Sequence, residues 1–212
     1  TSNGGGVEID GVYWSATHIG QEGFDEQFLF SYDAETWEQL TFTTTDLGMI
    51  AHDVALDPVS KKVYGCFYND DGTGSVFGTV DYPSQVRTVI APVATAWSAC
   101  AVDTDGTVYA IDYYGKLFTV DKTTGVMTEI GDTGLSRSYI TSGCIDPHSG
   151  RFFFVYYKAT GTKEESFLYE INKQTAEATL IYQLPGNEQI VGMYVAPPKA
   201  AWDAPAAPTN LA

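Results

Sequence analysis

Basic residues are scarce. The 212-residue chain has 11 Lys+Arg against 27 Asp+Glu, a formal net charge of -16. Nucleic acid needs a local surplus of Lys and Arg to neutralise its phosphates, and an anionic membrane surface needs the same, so neither is an expected partner. No run of about 18 apolar residues occurs, so no segment reads as a membrane-spanning helix. The cysteines are three, Cys66, Cys100 and Cys144. An odd number without a Cys-x-x-Cys pair argues against both a disulfide framework and zinc. No Gly-x-Ser-x-Gly, no His-Glu-x-x-His and no Gly-rich phosphate loop with a Lys is present, so neither a cofactor nor a metal is expected. No signal peptide is seen. Residues 1–6, Thr-Ser-Asn-Gly-Gly-Gly, read as a flexible leader or a trimmed mature end.

What is present is apolar and aromatic. Hydrophobic residues make up 44% of the chain and aromatics 14%, while only 18% of residues are charged. Such a chain can offset the entropy of folding. Tyr and Phe fit half-buried pleated surfaces, and the 21 glycines serve turns, so the class is all-β.

One phrase recurs. Residues 54–68 read Val-Ala-Leu-Asp-Pro-Val-Ser-Lys-Lys-Val-Tyr-Gly-Cys-Phe-Tyr, residues 100–111 Cys-Ala-Val-Asp-Thr-Asp-Gly-Thr-Val-Tyr-Ala-Ile, and residues 143–155 Gly-Cys-Ile-Asp-Pro-His-Ser-Gly-Arg-Phe-Phe-Phe-Val. Each is an apolar strand, an acid (Asp57, Asp103, Asp146), a turn, and a second strand centred on an aromatic. A third strand then ends at Asp81, Asp121 or Asn172, and a fourth follows (Val86 to Ile90, Val126 to Ile130, Ala178 to Tyr182). The run from Lys116 to Ile130 shows it best, with an Asp-x-Thr-Thr-Gly turn between two alternating strands. The N-terminal segment supplies strands two to four of a further unit, at Gly11 to Ala16, Phe28 to Asp33 and Trp37 to Thr43. Its inner strand is missing or reduced to Val7 to Asp10. An orphan strand at Ile190 to Pro197 aligns with Asp53 to Pro58 and is placed to complete that unit.

The second-strand aromatics Tyr13, Tyr64, Tyr109 and Phe153 lie 51, 45 and 44 residues apart. A four-stranded repeat of about 40–50 residues is that of a β-propeller blade. The chain thus resembles secreted bacterial β-propellers with degenerate blade repeats, over residues 7–198. The resemblance implies four blades, a ring closed by the C-terminal strand, and a secreted or cell-surface, multidomain setting. The alternative architecture is a larger propeller cut short, with Ile190 to Pro197 opening a fifth blade. Residues 199–212 form an Ala/Pro-rich linker. Its Pro205-x-x-Pro-Thr-Asn-Leu-Ala end resembles the lead-in to a fibronectin type III domain.

The recurring acids could suggest calcium, but the twelfth position counted from Asp103 is Tyr114 and from Asn69 is Val80, not a bidentate acid. Asx side chains bonding their own turns account better for an acid at every blade turn. Cys100 and Cys144 stand at opposite parities along their strands, so they should not bridge, and all three thiols read as small buried hydrophobes. His148 is expected in an exposed turn, and His52, just before an inner strand, at the channel. On the propeller template, the loops of one face carry Trp97, Tyr113, Tyr114, Tyr139 and the insertion around His18–Glu26. Another insertion is expected at Lys158–Glu165. Aromatics there can stack on sugars or anchor a protein partner. The candidate ligand-binding residues are therefore His52, Trp97, Tyr113, Tyr114 and Tyr139.

The expected function is a non-catalytic binding or adhesion module, monomeric, presenting these loops to a glycan or an extracellular protein. One alternative is a carbohydrate-active enzyme of lyase or glycosidase type. It would need paired carboxylates in the channel mouth, about 5–10 Å apart. Another is a structural spacer without a ligand.

Overall fold

The computed structural model describes residues 3–17, 26–47, 51–69, 73–136, 138–139, 141–186 and 188–196. Among the described residues, sixteen strands fall into four antiparallel sheets with neighbouring strands in chain order. The first sheet holds β1 (Asn3–Ile9), β2 (Val12–Thr17), β3 (Gln27–Asp33) and β4 (Gln39–Thr45). The second holds β5 (Ala51–Leu56), β6 (Val63–Tyr68), β7 (Ser75–Asp81) and β8 (Val86–Val93). The third holds β9 (Trp97–Val102), β10 (Val108–Asp112), β11 (Lys116–Val120) and β12 (Met127–Asp132). The fourth holds β13 (Gly143–Ile145), β14 (Phe152–Thr160), β15 (Lys163–Ile171) and β16 (Ala178–Gln183). The sheets are the blades of a four-bladed β-propeller, with β1, β5, β9 and β13 innermost.

The repeat is visible at the level of single hydrogen bonds. Every acid or amide at a third-strand end caps its own turn. Asp33 accepts the N–H groups of Glu35 and Thr36, Asp121 those of Thr123 and Thr124, and Asn172 those of Gln174 and Thr175. Four residues on, each of these hairpins needs a left-handed residue, filled by Trp37, Gln85, Gly125 and Ala176 at φ 57–71°. Each outermost strand pair also carries one register shift, at Ser31/Tyr32, Phe77/Gly78, Leu117/Phe118 and Leu168/Tyr169. In blades two to four the shift falls three to four residues before the third-strand acid or amide, and in blade one it lies nearer the turn; each adds local twist.

Apolar residues pack between blades. Val7, Leu29, Val54, Phe67 and Val76 join blades one and two. Tyr64, Cys66, Phe77, Trp97 and Cys100 join two and three. Ile111, Leu117, Phe152, Phe154 and Ile171 join three and four. All three cysteines are buried free thiols.

The structure corrects the sequence reading in four places. Gly4, Gly5 and Gly6 are part of β1, paired to β2 across a bulge, and not leader. Two of these glycines are required by close approach: a Cβ on Gly5 would meet the Asp53 Cα at 3.0 Å, and one on Gly6 would meet the Tyr13 hydroxyl at 2.0 Å. The inner strand of blade one is therefore N-terminal. Residues 188–196 are not a sheet strand and do not open a fifth blade. They run as irregular chain at the seam between blades four and one. There the Tyr13 hydroxyl donates to the Gly192 carbonyl at 3.0 Å, Met193 N donates to Ser142 Oγ at 2.8 Å, and the Tyr194 hydroxyl donates to the Ala34 carbonyl at 3.1 Å. The Lys158–Glu165 insertion is no loop: β14 and β15 pair through it, from Thr160↔Lys163 inward. Trp97 lies in β9 rather than in a loop, with 1% of its surface exposed. The His18–Glu26 insertion lies, up to residue 25, outside the described residues, as does the linker 199–212.

Candidate functional site

The axis of the propeller is tied at one buried carboxylate. Asp53, in β5, has none of its surface exposed. Its Oδ2 accepts the N–H of Cys100 from β9 and the N–H of Gly143 from β13, both at 2.9 Å. Its Oδ1 takes the Ser142 hydroxyl at 3.0 Å. Ser142 Oγ in turn accepts Met193 N. One side chain thus links blades two, three and four to the closing segment. Burial pushes the Asp53 carboxyl up to about 8, against the Cys100, Gly143 and Ser142 donors, which favour its ionised form.

His52 and Val54, the chain neighbours of Asp53, line two different concavities. One, of about 180 Å³, lies among Val7, Leu56, Val102, Ile145 and Val195, with Glu8 as its one described carboxylate. The other, of about 290 Å³, is lined by His52, Tyr68, Ala96, Trp97, Ser98, Tyr113, Ser138, Tyr139 and Gln189. That volume stands at the low end of small-ligand clefts, about 300–1,000 Å³.

Four of the five residues singled out from sequence, His52, Trp97, Tyr113 and Tyr139, meet around this second cavity. The fifth, Tyr114, is 59% exposed and stands beside it, edge-on to Tyr113 at 5.5 Å. Tyr113 and Tyr114 form the turn after β10, where Tyr114 N donates to Asp112 Oδ1 at 2.9 Å. Tyr139 is half exposed, packs edge-on to Tyr157 at 6.0 Å, and opens the cavity to solvent. His52 is fully buried within β5, its ring 4.0 Å from that of Tyr68 and its Nε2 3.1 Å from Ser75 Oγ. Tyr68 was missed by sequence reasoning. Its signal is position alone: it ends the second strand of blade two, as Asp112 does in blade three.

The other sequence-marked groups lie elsewhere. His148 is exposed in the β13–β14 turn, where its N–H donates to Asp146 Oδ1 at 2.9 Å. Among the described residues, no three His, Cys, Asp or Glu side chains gather as a metal site. No described residue lining the larger cavity is a carboxylate.

Fold and site together define the class, a small four-bladed propeller with an aromatic pocket at one mouth. No family profile matches the chain, and no curated protein sequence does. Solved structures share the fold. Regucalcin from Agrobacterium tumefaciens, a calcium-binding protein, is 13% identical at a TM-score of 0.55, over 90% of this chain and 77% of that one. An exo-β-1,3-galactanase from Clostridium thermocellum is 11% identical at 0.56, over 88% of this chain and 49% of that one. A protein of unknown function from Bacteroides thetaiotaomicron is 12% identical at 0.55, over 84% and 43%. The chain therefore spans less than half the length of the last two. Likeness at this identity is likeness of fold, and the propellers concerned include both binding proteins and glycosidases.

Proposed function

We propose that the chain is a non-catalytic binding module, which holds a protruding group of a glycan or protein ligand in the cavity lined by Tyr68, Trp97, Tyr113 and Tyr139. The observation that carries this reading is the meeting of four aromatic side chains, from blades two and three and from the connection between blades three and four, around one open concavity. Aromatic anchors in a pocket supply most of the energy of a typical recognition site. A secreted or cell-surface setting, as the sequence resemblance implies, belongs to the same proposal.

A glycosidase reading is less well supported. It needs two carboxylates flanking a bond, and the described lining of the larger cavity offers none. The nearest acid on the axis, Asp53, is engaged by three donors and shut off from solvent.

The test is binding of the purified protein to glycan and extracellular-matrix arrays, repeated with Tyr113→Ala and Tyr139→Ala. Each substitution is expected to weaken a specific signal by about 10–30-fold, as loss of an aromatic anchor does. Wild-type binding that neither substitution alters would place the ligand elsewhere on the molecule.

A further inference from the structure

The aromatic cavity has a second property besides its shape: the serine and backbone groups of its lining are engaged within the protein, and its other polar groups are three tyrosine hydroxyls, the His52 ring, the Trp97 indole and Gln189. Ser98 Oγ donates to the Ser138 carbonyl at 2.9 Å. The Ser98 carbonyl accepts both the N–H and the hydroxyl of Thr141, each at 3.1 Å. The Ala96 carbonyl accepts Tyr113 N at 2.9 Å. Ser138 Oγ donates to the Tyr139 carbonyl at 3.2 Å and accepts Tyr157 N at 3.3 Å. His52 Nε2 is engaged by Ser75. The indole nitrogen of Trp97 lacks a partner, but it is itself buried away from solvent.

This inventory discriminates between ligand chemistries. A sugar ring brings several hydroxyls that lose water on entering, and each one left unpaired costs affinity. An alkylated ammonium group asks for no hydrogen bond. Its charge is spread over methyl surface and is stabilised by the negative faces of aromatic rings, best by Trp and well by Tyr. The cavity supplies one Trp and three Tyr, and its described lining contains no Lys or Arg. The net charge of -16 adds a field that draws cations in and keeps anions out.

Resting on the binding-module reading above, we infer that the cavity takes an alkylated ammonium group of the choline or Nε-trimethyllysine kind, carried by the ligand.

The experiment titrates the protein, by calorimetry or chemical-shift perturbation, with tetramethylammonium, choline and Nε-trimethyllysine. It is repeated with 3,3-dimethylbutan-1-ol, the uncharged isostere of choline, and with glucose and galactose. At least one of choline and trimethyllysine is expected to bind, and their ratio identifies the source. The cation is expected to bind about tenfold or more tightly than the neutral isostere, the range of a desolvated cation–π contact. Tyr139→Phe keeps the ring face and is expected to retain binding. Tyr139→Leu keeps bulk without the ring and is expected to lose about tenfold. Arg137 stands two residues before Tyr139 in sequence, and Arg137→Gln is expected not to weaken the cation. Equal binding of choline and its isostere, or loss of binding in Arg137→Gln, would overturn the inference. If sugars bind through Tyr139 and no ammonium probe does, the inference falls and the binding module stands. If array binding ignores both tyrosine substitutions, the binding-module reading falls with it.

Discussion

Asp53 stands four residues before the turn acid Asp57, where the corresponding positions of the next two blades hold Ala99 and Ser142. An acid where the equivalent positions hold small uncharged residues is a sequence irregularity, and the fold explains it. At a four-bladed axis the inner strands come close enough for one carboxylate to accept N–H groups from both the adjacent blade three and the opposite blade four. Asp53→Ala leaves both N–H groups buried without an acceptor and is expected to cost about 2–6 kcal/mol in urea unfolding, at about 1–3 kcal/mol for each orphaned donor. Asp53→Asn should behave differently. Its amide oxygen can replace Oδ2 toward Cys100 and Gly143, and its NH₂ can face Ser142 Oγ. The wild-type carboxyl has a folded-state pKa near 8 against 3.8 unfolded. The folded chain therefore holds a proton that the unfolded chain releases between these values. The stability this group contributes is fully present below about pH 4 and is lost as pH rises toward 8. Unfolding at pH 5 and pH 8 should show Asp53→Asn gaining on wild type at the higher pH. A wild-type to Asn difference that does not change with pH would mean that the buried group is ionised throughout.

Between elements, the blades are latched by a device that the repeat itself encodes. The residue after the third-strand acid or amide reaches back to the inner hairpin of the preceding blade. Lys122 meets Asp57 Oδ2 at 2.7 Å, and Lys173 pairs with Asp103. The Asp57 side chain is wholly buried and that of Lys122 is 31% exposed. Such a pair falls between exposed ion pairs, worth about 0–1 kcal/mol, and buried ones, where loss of one partner costs about 3–5 kcal/mol. Lys122→Met is accordingly expected to cost about 1–3 kcal/mol, read by thermal or urea unfolding. Burial raises the Asp57 pKa, but Lys122, the Ser60 hydroxyl and the N–H groups of Val59 and Ser60 together hold it below its ordinary value. Its contribution is therefore present above about pH 4 and is lost as pH falls through the folded value. Removing Lys122 should blunt the acid loss. The other two latch positions hold Tyr82, buried against blade one, and Ala34. The strands and turns of these units were legible from sequence because each blade repeats the same Asx-capped hairpins and period-two alternation. The first inner strand was not, because Gly4-Gly5-Gly6 has the composition of a leader, and its glycines answer to Asp53 and Tyr13, neighbours of another strand or another blade. The aromatic site was half legible. Tyr113 and Tyr139 follow from loop position on the template, whereas the convergence of Trp97, His52 and Tyr68 depends on how the blades are set around the axis.

For the whole molecule, the decisive feature is that ring closure does not use the device of the other seams. The described buried clusters join blades one to two, two to three and three to four. At the fourth seam Ala34 offers no cation to Asp146, and residues 188–196 fill the place. Tyr194 lies 5.7 Å from the Tyr13 ring and 6.3 Å from the Trp37 ring, and its hydroxyl bonds the Ala34 carbonyl. The Ser166 hydroxyl bonds the Glu188 carbonyl at 2.5 Å, so blade four holds the start of the segment while blade one holds its end. At about 1 kcal/mol for each hydrogen bond and about 0.5–1.5 kcal/mol for each aromatic pair, the segment supplies roughly 5–7 kcal/mol. That is a large share of the 5–15 kcal/mol typical of a whole domain. Because it acts at one seam, its loss should be felt unevenly. Tyr194→Ala removes one hydrogen bond and two ring contacts, and is expected to lower stability by about 2–4 kcal/mol. In hydrogen exchange, protection should fall first in β1, β2 and β13, which border the seam, while β6, β7, β10 and β11 keep wild-type rates until global unfolding. Exchange that rises by the same factor in every blade would show a ring that opens only as a unit. The closing segment would then contribute stability without defining a weakest seam.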